Sequence, residues 1–109
     1  MKKFDDGYTL VQDMVNDNYF PDFLVEKLQH LIRSTVISLL ENGERDISTI
    51  QACLDKMTLA INDMQEEFEE NDSEIETAAR DSIGETVEYI LKWFDIDIDI
   101  ETAIRERDW

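Results

Sequence analysis

Between Ile50 and Phe68, six apolar side chains recur at steps of 4, 3, 4, 3 and 4: Ile50, Leu54, Met57, Ile61, Met64 and Phe68. A strand buries every second residue, so it cannot place all six on one side. An α-helix can, and the stripe then packs along its whole length, as in a bundle. A second stripe repeats the pattern at Ile75, Ala79, Ile83, Val87, Ile90 and Phe94. Two such helices rule out a sheet-based fold for most of the chain. The 109 residues hold only 3 glycines and 1 proline, so tight turns are few. The expected fold is all-α: one domain spanning 1–109, an antiparallel bundle of about five helices.

The remaining helices follow from caps and breakers. A first helix is expected from about Thr9 to Asp17, with Tyr8, Val11, Met14 and Val15 on one face. A second follows "NYFPDF", with Pro21 suited to a first turn. Its stripe is Leu24, Leu28, Leu31, Ile32, Thr35 and Leu39, and Asn42-Gly43 is a C-cap pair. The Ile50 helix starts after Asp46 or Ser48. Ser73 and Glu76 have the spacing of a capping box for the Ile75 helix, and Gly84 inside it marks a bend or a close approach.

Charge narrows the partners. There are 27 acidic and 10 basic residues, a formal net charge of −17. Nucleic acid and anionic membrane would be repelled, and basic proteins attracted. The start, "MKKFDDGYTL", meets acid where a secretory signal needs an apolar run, and no apolar run reaches the roughly 20 residues that span a bilayer. A cytoplasmic protein is expected. Cys53 is the one cysteine, expected as a small core residue; His30, the one histidine, falls away from its helix's stripe, as a solvated residue would.

Two carboxylate patterns raise the question of a metal. In "WFDIDIDIETAIRERDW", Asp95, Asp97, Asp99 and Glu106 match the acidic positions of a calcium loop. Ile100 stands where that loop needs glycine, however, and no exit helix follows Glu106. Capping of a last short helix by Asp97 or Asp99 fits better, with Ile96, Ile100 and Ile104 recurring at helical spacing. The second pattern pairs "EEFEE" with "ETVE". It resembles the all-α nucleoside triphosphate pyrophosphatases, whose E-x-x-E and E-x-x-D helices hold magnesium. That resemblance would make Glu67, Glu70, Glu85 and Glu88 the ligands, with Glu88 in the aspartate's place. At 100° per residue, though, Glu70 and Glu85 lie roughly opposite the Phe68 and Ile83 stripes. The four carboxylates then diverge, and neither a metal nor another cofactor is expected.

The acidic belt is the candidate site. From Met57 to Ala79 there is no Lys or Arg. Glu66, Glu67, Glu69 and Glu70 crowd a helix C-terminus, where the dipole disfavours each by about a few tenths of a kcal/mol, and they repel one another. Charge that breaks a local rule without local compensation points to use by a partner. The candidate partner-binding residues are Asp63, Glu66, Glu67, Glu69, Glu70, Asp72 and Glu74, with Tyr19, Phe20 or Trp109 as exposed aromatic anchors. The Asp95–Glu101 run would extend this belt if the last long helix brought both to one side.

Three stretches, "NDNYFPDFLVEKL", "INDMQEEFEENDSEIETAARDSIGE" and the terminal "RDW", resemble a bacterial family of domains of unknown function. The resemblance implies a small helical bacterial protein and brings no catalytic or binding residues. It places the acidic run inside the family's most recognisable stretch. The leading expectation is a protein-binding module: an inhibitor or immunity protein that neutralises a basic toxin, such as a nuclease, through the acidic surface. The alternatives are the pyrophosphatase and an acidic structural or regulatory subunit, for which a homodimer through a face around Ile37 is one form.

Overall fold

A computed structural model describes residues 3–42 and 46–109. Five helices occur among them: α1 (Gln12–Val15), α2 (Asp22–Asn42), α3 (Ile47–Glu70), α4 (Thr77–Trp93) and α5 (Ile100–Ala103). None is long and apolar enough to cross a membrane. The architecture is all-α, and the expected stripes form its core. Leu24, Leu28, Ile32 and Leu39 from α2 meet Ile50, Leu54, Ile61, Met64 and Phe68 from α3, with Ala79, Ile83, Val87 and Ile90 from α4, all essentially without solvent exposure.

α2 and α3 form an antiparallel hairpin. Lys27 reaches Glu67 at one end (2.6 Å). Toward the other end, Ser34 and Ser38 share a groove with Cys53 and Lys56. Asp46 caps α3, as expected, by accepting from the Ser48 N–H. The expected Gly43 cap lies outside the described residues.

The N-terminal segment lies antiparallel along α4. The Trp93 indole N–H donates to the Lys3 carbonyl (2.9 Å), the Tyr89 hydroxyl to Asp5 (2.5 Å) and the Val11 N–H to Thr86 Oγ1 (2.9 Å). Phe4 packs edge-on against Tyr8, Tyr89 and Trp93, and Tyr8 stacks on Tyr89 with centroids 3.9 Å apart. This docking shortens the expected first helix to four residues. Val11 adopts φ 46°, a left-handed conformation that a β-branched residue resists. It is held there by full burial and the Thr86 bond. The helix therefore starts late, Leu10 and Val11 turn inward, and Val15, expected on the buried face, is 45% exposed.

The segment 99–109 runs parallel to α3, and its α5 also touches α4. Gln51 donates to the Thr102 carbonyl (3.0 Å), and Arg105 grips Asp55 through Nε (3.1 Å) and Nη2 (2.7 Å). Asn62 donates to the Glu106 carbonyl (2.8 Å) and accepts from the Asp108 N–H (3.1 Å), while Gln65 bonds the Asp108 carboxylate. Trp109 is buried, with the Arg107 guanidinium 5.8 Å from its ring centroid. Asp99 is the cap of α5: its carboxylate accepts from the Thr102 N–H (3.1 Å) and hydroxyl (2.7 Å).

Two expectations about α4 are corrected. Ser73 and Glu76 form no capping box. α4 starts at Thr77, Glu76 makes no side-chain cap bond, and Ser73 is buried with no partner for its hydroxyl among the described residues. With Glu76 at the N-cap of α4, Ser73 lies three residues ahead of the position a capping box requires. Gly84 marks neither a bend nor a close approach, since a β-carbon there would meet nothing within 4 Å.

Candidate functional site

The belt is built on the end of α3. Its closing turn is a Schellman motif: the Ser73 N–H bonds the Phe68 carbonyl (2.9 Å) and the Asp72 N–H bonds the Glu69 carbonyl (3.2 Å). Asp72 therefore occupies the left-handed position, φ 57°, that glycine fills at most such ends. α4 ends the same way. Ile96 N–H bonds the Leu91 carbonyl (2.9 Å), Asp95 N–H bonds the Lys92 carbonyl (3.2 Å), and Asp95 has φ 55°. Asp95, the first of the calcium-loop matches, thus serves the backbone as a helix terminator.

Around the α3 end, Asp63, Glu66, Glu69, Glu70, Asp72 and Glu74 are exposed, and none pairs with a cation among the described residues. Glu67 is the exception, half-buried against Lys27 of α2. Glu76 beside Glu74, with Glu69 close by, pushes the Glu74 carboxyl above its ordinary range. The negative potential is therefore concentrated where α3 hands over to α4.

The predicted extension of the belt by the Asp95–Glu101 run is not observed. Asp97 and Asp99 share an open recess with Ile47 and Ser48, at the opposite end of α3. The tail adds different acids instead: Asn62 and Gln65, which line a shallow recess with Asp63, Glu66 and Glu69, also hold Glu106 and Asp108. Two of the three suggested aromatic anchors are buried. Phe20 is 4% exposed and packs edge-on against Phe68, and Trp109 is 8% exposed. Both belong to the core that fixes the belt's backbone. Tyr19 is exposed, and so is Phe23 at 56%, a residue that periodicity alone left unmarked.

The pyrophosphatase pattern is not assembled into one ion site. Glu67 pairs with Lys27, while Glu88 pairs with Lys92 on its own helix (3.1 Å), and Glu85 and Glu88 border a groove against Tyr8 and Asp13. No group of three His, Cys, Asp or Glu among the described residues is placed to share an ion. His30 is exposed, and Cys53 is half-buried beside the core.

With this geometry in hand, comparison with known proteins is decisive on one point. The model of the family of unknown function DUF5713 matches residues 4–109. The chain belongs to DUF5713. No curated protein and no solved structure matches it. The DUF5713 match takes in the docked N-terminal segment from residue 4, the belt and the tail at 99–109 alike.

Proposed function

We propose that this DUF5713 protein is an acidic protein-binding module acting in the bacterial cytoplasm. Its most concrete role is as an inhibitor or immunity protein for a basic toxin, with a nuclease as the best-matched target. The supporting observation is the belt: a run of carboxylates at a helix terminus, of which only Glu67 has a basic partner among the described residues, anchored by a buried cap. Such an arrangement opposes the stability of α3 and offers fixed charge to a cationic cleft. A nuclease's cleft is cationic because it must hold phosphates, and a rigid acidic ridge would compete for it with fast, salt-sensitive association.

The test is affinity capture from the native cell with the tagged protein, alongside a bait carrying Glu66→Lys, Glu69→Lys and Glu70→Lys. A basic protein held by the first bait, released by added salt, absent from the second and neutralised on co-expression would support the proposal. Retention of the same partner by the reversed bait would remove the belt as the site. Magnesium-dependent hydrolysis of nucleoside triphosphates, lost on Glu67→Gln, would replace a binder with an enzyme.

A further inference from the structure

A groove of about 350 Å³ runs between the docked N-terminal segment and α4. Tyr8 and Asp13 form one wall, and Ser82, Glu85, Glu88 and Tyr89 the other. None of the belt residues lines it. Ser82 is 2% exposed, yet its hydroxyl makes no hydrogen bond among the described residues. A buried hydroxyl in a helix ordinarily bonds the carbonyl four residues back, as Thr58 does with Leu54 (2.8 Å). One turn on from Ser82, Thr86 is engaged by the Val11 N–H (2.9 Å). Unlike the Ser73 hydroxyl, that of Ser82 is not sealed from solvent, so it offers a donor and an acceptor to whatever enters the groove.

Charge around this hydroxyl is one-sided. Lys92, the basic residue of the lining, is held by Glu88 at 3.1 Å. Asp13 and Glu85 pair with no cation among the described residues. Their far side borders a second recess with Arg80 and Arg107, neither of which pairs with them. No three acids among the described residues are placed to share a metal ion, so the negative charge is spread along the groove. From Ser82 to Lys92 the helix rises about 15 Å. Tyr8 and Tyr89 stack with centroids 3.9 Å apart, and their hydroxyls are bound to Thr86 (3.4 Å) and Asp5 (2.5 Å). They therefore bring ring surface, on which both methylenes and ammonium groups pack favourably.

We infer that this groove binds a small linear polyamine, a set of ammonium groups joined by short alkyl chains. Separated carboxylates select separated cationic charges over a single metal ion, and they exclude an anion. The tyrosine rings take the methylenes, and the Ser82 oxygen accepts from an ammonium N–H. Such a ligand ties residues 8–13 to α4. The inference is independent of the belt and of the function proposed for it.

The probe is spermidine, titrated calorimetrically into the 109-residue protein at about 0.15 M salt, where general attraction to a charge of −17 is screened. One molecule per chain is expected to bind. Ser82→Ala should weaken it about fivefold and Glu85→Gln about tenfold. Glu26→Gln, which removes the same charge from an exposed position outside the groove, should leave the affinity unchanged. Butylamine, with one ammonium, should bind at least about tenfold more weakly, and acetylated trilysine, with its ammoniums on a peptide, should also bind more weakly. Melting without ligand checks the fold of each variant, and the exposed Glu85 keeps the test open if Ser82→Ala lowers stability. Absence of binding, or wild-type affinity in a folded Ser82→Ala, would overturn the site. Equal losses from Glu26→Gln and Glu85→Gln would reduce spermidine to a counterion and overturn it as well. Trilysine held more tightly than spermidine would overturn the polyamine and give the groove to a protein's lysines. None of these results bears on the belt.

Discussion

Asp72 sets a stability cost against a charge. The left-handed backbone at the end of α3 favours glycine, yet an aspartate sits there beside Glu69 and Glu70. Asp72→Gly is expected to stabilise the fold by about 1 kcal/mol, measured by urea unfolding, while weakening a basic partner. A fall in stability would mean that the Asp72 side chain supports the turn. Gly84→Ala should add about 0.5–1 kcal/mol, because the new methyl meets open space and α4 loses a flexible residue. A destabilised variant would reveal crowding at that position. Neither residue's role was legible in the sequence. Gly84 has the form of a bend, and Asp72 that of one more acid in a run, because a backbone dihedral leaves no trace in residue periodicity.

The elements divide into those that declare themselves by periodicity and those defined by docking. α2, α3 and the buried face of α4 were legible because a continuous apolar stripe permits few alternatives. α1 is shorter than its periodicity implies because Thr86, 75 residues away, captures the Val11 N–H and delays the helix. The tail was half legible: Asp99 caps α5 as its spacing implies, but the clasp of Asn62, Gln65 and Asp55 on residues 105–108 is a tertiary fact. Trp109→Ala should cost about 3 kcal/mol, lowering the melting temperature by more than about 10 °C. A small effect would show that the ring merely rests on the bundle. The belt residues are exposed as their charge implies, except the half-buried Glu67, whereas two of the three aromatic companions are buried. Phe20 and Trp109 needed the packing of Phe68 and the tail to be placed inside.

For the whole molecule, net charge and a few specific carboxyls set the pH response. Asp5 is held below its ordinary 3.8 first by the Tyr89 hydroxyl, Asp55 by Arg105 and Asp99 by Thr102. A depressed carboxyl gives stability above 3.8 that is lost as pH falls through its folded value. Glu74 has the opposite sign: raised above 4.5 by Glu76, it favours the fold when protonated and loses that contribution as pH climbs through its raised value. Tyr89, raised above 10.0 by Asp5, adds stability below 10.0 that disappears in strong alkali. The melting temperature is therefore expected to rise from neutral toward mildly acidic pH, peak there, and fall below 3.8. A monotonic decline from pH 7.5 to 4 would contradict it. Added salt at neutral pH should stabilise the free protein by screening its −17 charge, while weakening any basic complex.

The docking of residues 3–11 onto α4 also sets an order in time. The α2–α3 hairpin joins neighbours in sequence and can close early. Lys3 and Trp93 are 90 residues apart, and such closures come late. A ribosome releases Phe4 and Tyr8 before Tyr89 and Trp93, and their seat on those rings does not exist until α4 has emerged. Phe4 and Tyr8 thus wait in water while the chain as far as Trp93 is made.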